Sequence, residues 1–161
     1  MMNLLFGNFA PGRGAVGLLI VRLVFGLGMT LHGSQKIGAP LTWMNAFAGE
    51  NAPPGFLQAL AAVAEFFGGL AMILGLLTPV AALGIACVML AAIGMAHLPA
   101  GDPFVGAPGQ SSYEAAALYL AVTLLLIITG PGALSLDWLI FGRKRESIEK
   151  DRTRQVPESG V

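Results

Sequence analysis

Apolar residues fill four long blocks of the chain, roughly 15–35, 56–77, 79–97 and 113–130, separated by short stretches rich in Gly, Pro and polar residues. Each block is close to the ~20 residues that a helix needs to cross ~30 Å of hydrocarbon. The pattern therefore predicts an all-α integral membrane protein, a bundle of four transmembrane helices. Only Thr78-Pro79 separates the second block from the third, which predicts a tight helical hairpin there. The first block is too long for the apolar core of a cleaved signal and has no small-residue cleavage site beside it, so it reads as a permanent span.

Inside the blocks the exceptions to apolarity are periodic. Arg22, Gly26, Met29, Gly33 and Lys36 recur at intervals of four and three, as do Gln58, Ala61, Glu65, Gly68 and Met72. Each of the first two spans thus turns one stripe of small and polar residues in one direction, and small residues are what lets helices approach closely in lipid. A lone charge at mid-bilayer costs about 2.5–3.5 kcal/mol on insertion scales. Arg22 and Glu65 are accordingly expected to pair.

Composition supports a lipid solvent. Of 161 residues, 55% are hydrophobic and 11% charged, with a mean hydropathy of +0.74, which excludes an ordinary water-soluble domain. The formal net charge of zero offers nothing to nucleic acid. Cys87 stands alone, so an internal disulfide and a CxxC redox pair are excluded. The distribution of positive charge is more informative than its sum. Arg13 precedes the first span, and Arg143, Lys144, Arg145, Lys150, Arg152 and Arg154 follow the fourth, whereas loops 36–55 and 98–112 hold only Lys36. The positive-inside rule then puts both termini in the cytoplasm and both longer loops outside. Residues 1–142 form the transmembrane domain and residues 143–161 a charged cytoplasmic tail.

This topology gathers His32, Lys36, Glu65, His97, Tyr113 and Glu114 in the outer half of the bundle, with Trp43 and Phe104 in loops able to cover them. Such donors and acceptors in an apolar setting suit a flat headgroup such as a quinone. The same residues have plainer uses: Lys36 can snorkel, the tyrosines can anchor at the interface, and two histidines at bundle ends more often satisfy hydrogen bonds than clamp a haem. No ExxH pair occurs to hold a di-metal centre, and no metal site is expected. Asp137 and Ser135 are expected to cap a short terminal helix. No phosphate-binding glycine loop, nucleophile elbow, zinc spacing or flavin fingerprint is present, so the chain has no self-contained catalytic machine and no intrinsic cofactor.

Three stretches, RLVFGLGMTLHGSQKI, AEFFGGLAMILGLLTPVAA and SSYEAAALYLAVTLLLIITGPGALSLDWLI, resemble the DoxX family of small four-helix bacterial membrane proteins, related to the DoxD-type subunit of thiosulfate:quinone oxidoreductase. The family pattern falls on Arg22, His32, Gly33, Lys36, Glu65, Gly68, Gly69, Thr78, Tyr113, Glu114, Tyr119, Gly130, Gly132, Ser135 and Asp137. The resemblance implies a multi-pass protein of the bacterial inner membrane, working with other membrane or soluble oxidoreductase subunits in quinone reduction or in oxidant and thiol handling. A subunit without its own catalytic motif, able to form homo-oligomers, is the reading that follows. A small-molecule carrier and a structural scaffold are the rival classes.

Overall fold

The computed structural model describes residues 9–142; the charged tail assigned to 143–161 lies outside them. Within that range the chain is helical and has no strand. Four principal helices account for the four apolar blocks: α1 (Gly12–Ser34), α2 (Gly55–Leu74), α3 (Thr78–Ala91) and α4 (Glu114–Thr129). The last turns of α3 widen to π geometry over Ala92–His97, and another wide turn spans Trp138–Gly142. Between α1 and α2 lie a single helical turn, Asn45–Ala48, and a 3₁₀ turn, Gly49–Asn51.

Three helical stretches, Gly12–Ser34, Gly55–Leu74 and Thr78–His97, are long and apolar enough to cross a membrane. The fourth, at 16 residues, is shorter and rises about 24 Å. Its end is local chemistry: Gly130 adopts φ +74°, and Pro131 cannot continue a helix. The outward positions are apolar, Ile20, Val24, Leu27 and Leu31 on α1 and Leu60, Val63 and Phe67 on α2 among them. In the most apolar part of α1 only 28% of residues are buried. So large an apolar surface is stable against lipid, not water.

The helices pack in sequence, α1 on α2, α2 on α3 and α3 on α4, with a smaller contact closing α4 onto α1. The α1–α2 contact is the most extensive, and glycine permits it. A Cβ on Gly26 would stand 2.7 Å from the carbonyl oxygen of Gly69 and 2.8 Å from the Ile73 side chain, and one on Gly69 would stand 2.6 Å from Thr30 Oγ1. A Cβ on Gly33 would collide with the backbone of Phe66. The two backbones therefore touch, giving the dispersion contact that holds helices together in lipid. Phe25, Met29, Met72, Ile85, Met89 and Leu126 fill the space behind this seam.

The same contacts set the register of the antiparallel pair. Gly33, at the end of α1, lies opposite Phe66, so α2 overshoots α1 by the eleven residues from Gly55 to Phe66 (66 − 55), or about 16 Å. The 35–54 segment folds against that overhang, and Gln58 pins it there. Gln58, buried on α2, accepts from the Met44 amide at 2.9 Å and donates to Asn45 Oδ1 and the Pro53 carbonyl, each at 2.8 Å. Its side-chain oxygen and nitrogen are both used, as a buried amide requires.

Candidate functional site: two polar knots at opposite ends of the bundle

The overhang brings Glu65 level with the residues just after α1. Lys36 Nζ, not Arg22, is its partner, donating to Oε1 and Oε2 at 2.6 Å each. The expected Arg22–Glu65 ion pair is absent, and the reason is axial. Arg22 lies two turns below Thr30 and Gly69, toward the α2–α3 hairpin, while Glu65 lies above them. Counting depth along each helix from its own start placed the two residues too close together, because the starts are not level. Glu65 is 2% exposed and Lys36 20% exposed, so the carboxylate is sealed and its cation reaches the surface. Trp43 closes the arrangement: its ring lies 4.4 Å from the Lys36 ammonium, and its Nε1 donates to the Gln58 carbonyl at 3.0 Å.

The remaining residues expected at this end form three separate groups. His32 is exposed and stands edge-on to Tyr119, ring centres 5.9 Å apart, while Phe25 contacts the same ring at 5.5 Å. Positions 25, 28 and 32 share one face of α1, and the Tyr119 hydroxyl occupies the space that a Cβ on Gly28 would need. His97 belongs to the 98–112 loop instead. Its Nδ1 is 2.7 Å from Asp102 Oδ2, the same oxygen that accepts from Ser111 at 2.8 Å. These bonds to His97 and Ser111 hold the Asp102 carboxyl below its ordinary range. Tyr113 packs edge-on against Phe104 at 5.4 Å, and Glu114 opens α4, where its charge complements the helix N-terminus. Among the described residues no hydrogen bond or ring contact joins one of these groups to another, and no cluster of three metal-ligating side chains occurs.

The second knot ties the hairpin end. Arg22 is fully buried and donates from Nη2 to the carbonyl of Leu134, in the stretch that follows α4. Its charge is attracted by Asp137, also fully buried. Asp137 does not cap the terminal turn; Ser135 does, accepting from the Trp138 amide at 3.1 Å. Asp137 instead caps α3 from outside the hairpin. Its Oδ1 accepts from the Leu77 amide at 2.7 Å, its Oδ2 from the Thr78 amide at 2.8 Å, and its own amide donates to the Gly75 carbonyl at 2.8 Å. The turn it holds is demanding. Gly75 ends α2 at φ +64°, and Leu77, which is not a glycine, sits at φ +47°. A side chain at Gly75 would also meet the Arg22 guanidinium and Ser135. Pro79, in the first turn of α3 where no helical partner for its amide is lost, completes the hairpin.

Sequence reasoning placed Trp43 in a loop able to cover the Lys36 end, where its ring does lie over Lys36, but missed the Asp102 clasp and the true target of Asp137. The SLD stretch carried a signal for the last, since a buried aspartate near a helix start is commonly a cap, but nothing local named a helix start sixty residues away.

A lipid-facing bundle with a sealed lysine–glutamate pair at one end and a buried arginine–aspartate knot at the other is the class of molecule described. The chain belongs to the DoxX family, whose model matches residues 17–98, covering both members of the Lys36–Glu65 pair, Arg22 and the hairpin. It is 28% identical over 134 residues to the Bacillus subtilis (strain 168) protein named "Putative oxidoreductase CatD", a match covering 83% of this chain and 94% of that protein. No solved structure matches the chain.

Proposed function

We propose that this chain is a small subunit of a quinone-linked oxidoreductase system in the bacterial plasma membrane, non-catalytic or co-catalytic, with the Lys36–Glu65 pair under Trp43 as its working site. DoxX membership and the similarity to a protein named as an oxidoreductase support the class. The observation that carries the site is a carboxylate sealed in the bundle whose cation extends to the surface beneath an aromatic ring. A quinone supplies two-electron chemistry that takes up protons on reduction. What this chain's residues offer such a headgroup is limited and specific. Lys36 spends two of its three N–H groups on Glu65, leaving one donor. Trp43 contributes a flat face, and His32, one turn before Lys36, a ring at the surface. Glu65 holds the Lys36 ammonium aimed beneath the ring. His97 and Tyr113 hold the 98–112 loop. The electron-transfer cofactor belongs to a partner subunit, since the chain has no motif for one.

The test is binding of a quinone analogue to wild type, Lys36→Met, Trp43→Ala and His32→Ala, each shown to be folded. The expected result is loss of binding in Lys36→Met and Trp43→Ala and a smaller loss in His32→Ala. Equal binding by all four proteins, or none by wild type, rejects the site and leaves the carrier and scaffold readings.

A further inference from the structure

Gln58 does more at the Lys36 end of the bundle than a place on an apolar helix requires. It is buried, and a buried amide costs stability wherever a donor or acceptor goes unused. Here none does, and every bond goes to the same segment. Oε1 accepts from the Met44 amide at 2.9 Å, and Nε2 donates to Asn45 Oδ1 and to the Pro53 carbonyl at 2.8 Å each. The main-chain carbonyl of Gln58 accepts from Trp43 Nε1 at 3.0 Å, and that N–H is the indole's single donor. One residue thus grips Trp43, Met44 and Asn45 in succession and, through Pro53, the far end of the connection.

The grip acts on a stiff arm. The amides of Lys36, Ala39, Thr42 and Asn45 each donate to the carbonyl three residues back, so tight turns follow one another from Gly33 to Asn45. Lys36 stands near one end of this arm and Trp43 near the other. The separation of ammonium and ring is therefore decided by where the arm is fastened to α2. It is fastened in the first turn, by Gln58 and by the close approach of the Leu41 carbonyl to Gly55, where a Cβ would stand 2.8 Å from that oxygen.

We propose that Gln58 is the positioning residue of the site at Lys36 and Glu65: it touches no ligand, but by holding Met44, Asn45 and Pro53 it sets the Trp43 ring over the Lys36 ammonium and so determines how tightly a flat headgroup is held there. This rests on the headgroup-site reading given above. The role demands an amide. A neutral group with one acceptor and two donors matches the Met44 amide, Asn45 Oδ1 and the Pro53 carbonyl, whereas a carboxylate offers acceptors only and sets an oxygen against the Pro53 oxygen.

The test uses the full chain in detergent with Trp138→Phe as the parent protein, so that of the two tryptophans only Trp43 remains. Without ligand, Lys36→Met should shift Trp43 emission, because the ammonium lies 4.4 Å from the ring. Gln58→Glu at neutral pH should abolish that response, and acid, which gives the introduced carboxyl a proton and with it one donor, should restore part of it. Gln58→Met has nothing to protonate and should give no response at any pH; the parent at each pH corrects for titration of Glu65 itself. Binding of a quinone analogue should weaken about tenfold in Gln58→Glu at neutral pH, recover in acid, and weaken no further when Gln58→Glu is added to Trp43→Ala. A response to Lys36→Met that survives in folded Gln58→Glu protein overturns the proposal, as does a response missing from the parent or one lost in Gln58→Glu without recovery in acid. Additive loss of binding on top of Trp43→Ala overturns it too, since a general loosening of the bundle acts in that way. Failure of the parent to bind the analogue rejects the quinone reading alone, because the ligand-free emission decides the role of Gln58 by itself.

Discussion

Lys36 and Glu65 are buried as an ion pair, whereas the other two ionisable residues of the bundle's interior lean on backbone, Arg22 on the Leu134 carbonyl and Asp137 on the Leu77 and Thr78 amides. Removing the charge of one partner leaves the other unpaired, which in buried pairs costs about 3–5 kcal/mol. For Lys36→Met about 3 kcal/mol is expected, the low end, because the lysine is 20% exposed. In thermal unfolding of the protein in detergent, Lys36→Met and Glu65→Leu should be strongly non-additive, the double variant recovering part of the loss, whereas Arg22→Leu and Glu65→Leu should add. Coupling in the second cycle and none in the first would reverse the pairing described here. Asp137→Asn keeps the shape but removes the charge and one of two acceptor oxygens serving Leu77 and Thr78. It should destabilise by about 1–3 kcal/mol, more than Ser135→Ala, whose hydroxyl bonds only to the Gly132 carbonyl and the Trp138 amide. The identities of the charged residues were evident from the chain. Their partners were not, since a pairing between helices depends on axial position to within one turn.

At the scale of elements, the α1–α2 seam and the 98–112 loop make opposite demands. The seam requires absence of side chains. Gly69→Ala places a methyl group 2.6 Å from Thr30 Oγ1 and 2.8 Å from the Gly26 carbonyl, so the helices must separate, at a cost of about 1–3 kcal/mol. Gly17→Ala, whose added carbon meets nothing within 4 Å, is the control and should be neutral or slightly stabilising in the same unfolding assay. The loop is held by a charge. Because the folded carboxyl of Asp102 titrates below its ordinary 3.8, its contribution is fully present above that value and is lost as pH falls through the lower folded one. Limited proteolysis of the loop should therefore stay slow from neutral pH down to about 4 and accelerate only below it, while Asp102→Asn should be cut readily throughout. The stripes of small residues were visible as a 3.6-residue period, which identifies a face. The loop's clasp was not, because nothing in the spacing of His97, Asp102 and Ser111 distinguishes a hydrogen-bonded loop from an open one.

At the scale of the whole molecule, charge predicts orientation. With nearly all flanking Lys and Arg before α1 or after α4, both termini are expected inside. In a Cys87→Ala background, Glu50→Cys and Ala107→Cys should react with a membrane-impermeant thiol reagent on intact cells, and Glu158→Cys should react only after lysis. Tail labelling in intact cells would invert the topology and place the Lys36–Glu65 pair on the cytoplasmic side.

The sequence by itself determined the helical class, the approximate extent of all four apolar helices and the face that α1 turns to α2, although on α2 the seam glycine is Gly69 and not the expected Gly68, which meets Ile85 of α3. These are local or periodic properties: the hydrophobic length needed to cross a bilayer, the breaks at Gly and Pro, and the phase of a helix. Only the tertiary structure decided how far α2 slides past α1. That single displacement moved Glu65 from Arg22 to Lys36 and created the shelf on which Trp43 folds over the pair. It likewise decided that Asp137 closes a hairpin sixty residues earlier in the chain. Side-chain period defines rotation about a helix axis but says nothing of translation along it. Translation is set here by which glycine meets which backbone, Gly33 at Phe66 and Gly26 at Gly69, and that is a property of two helices together.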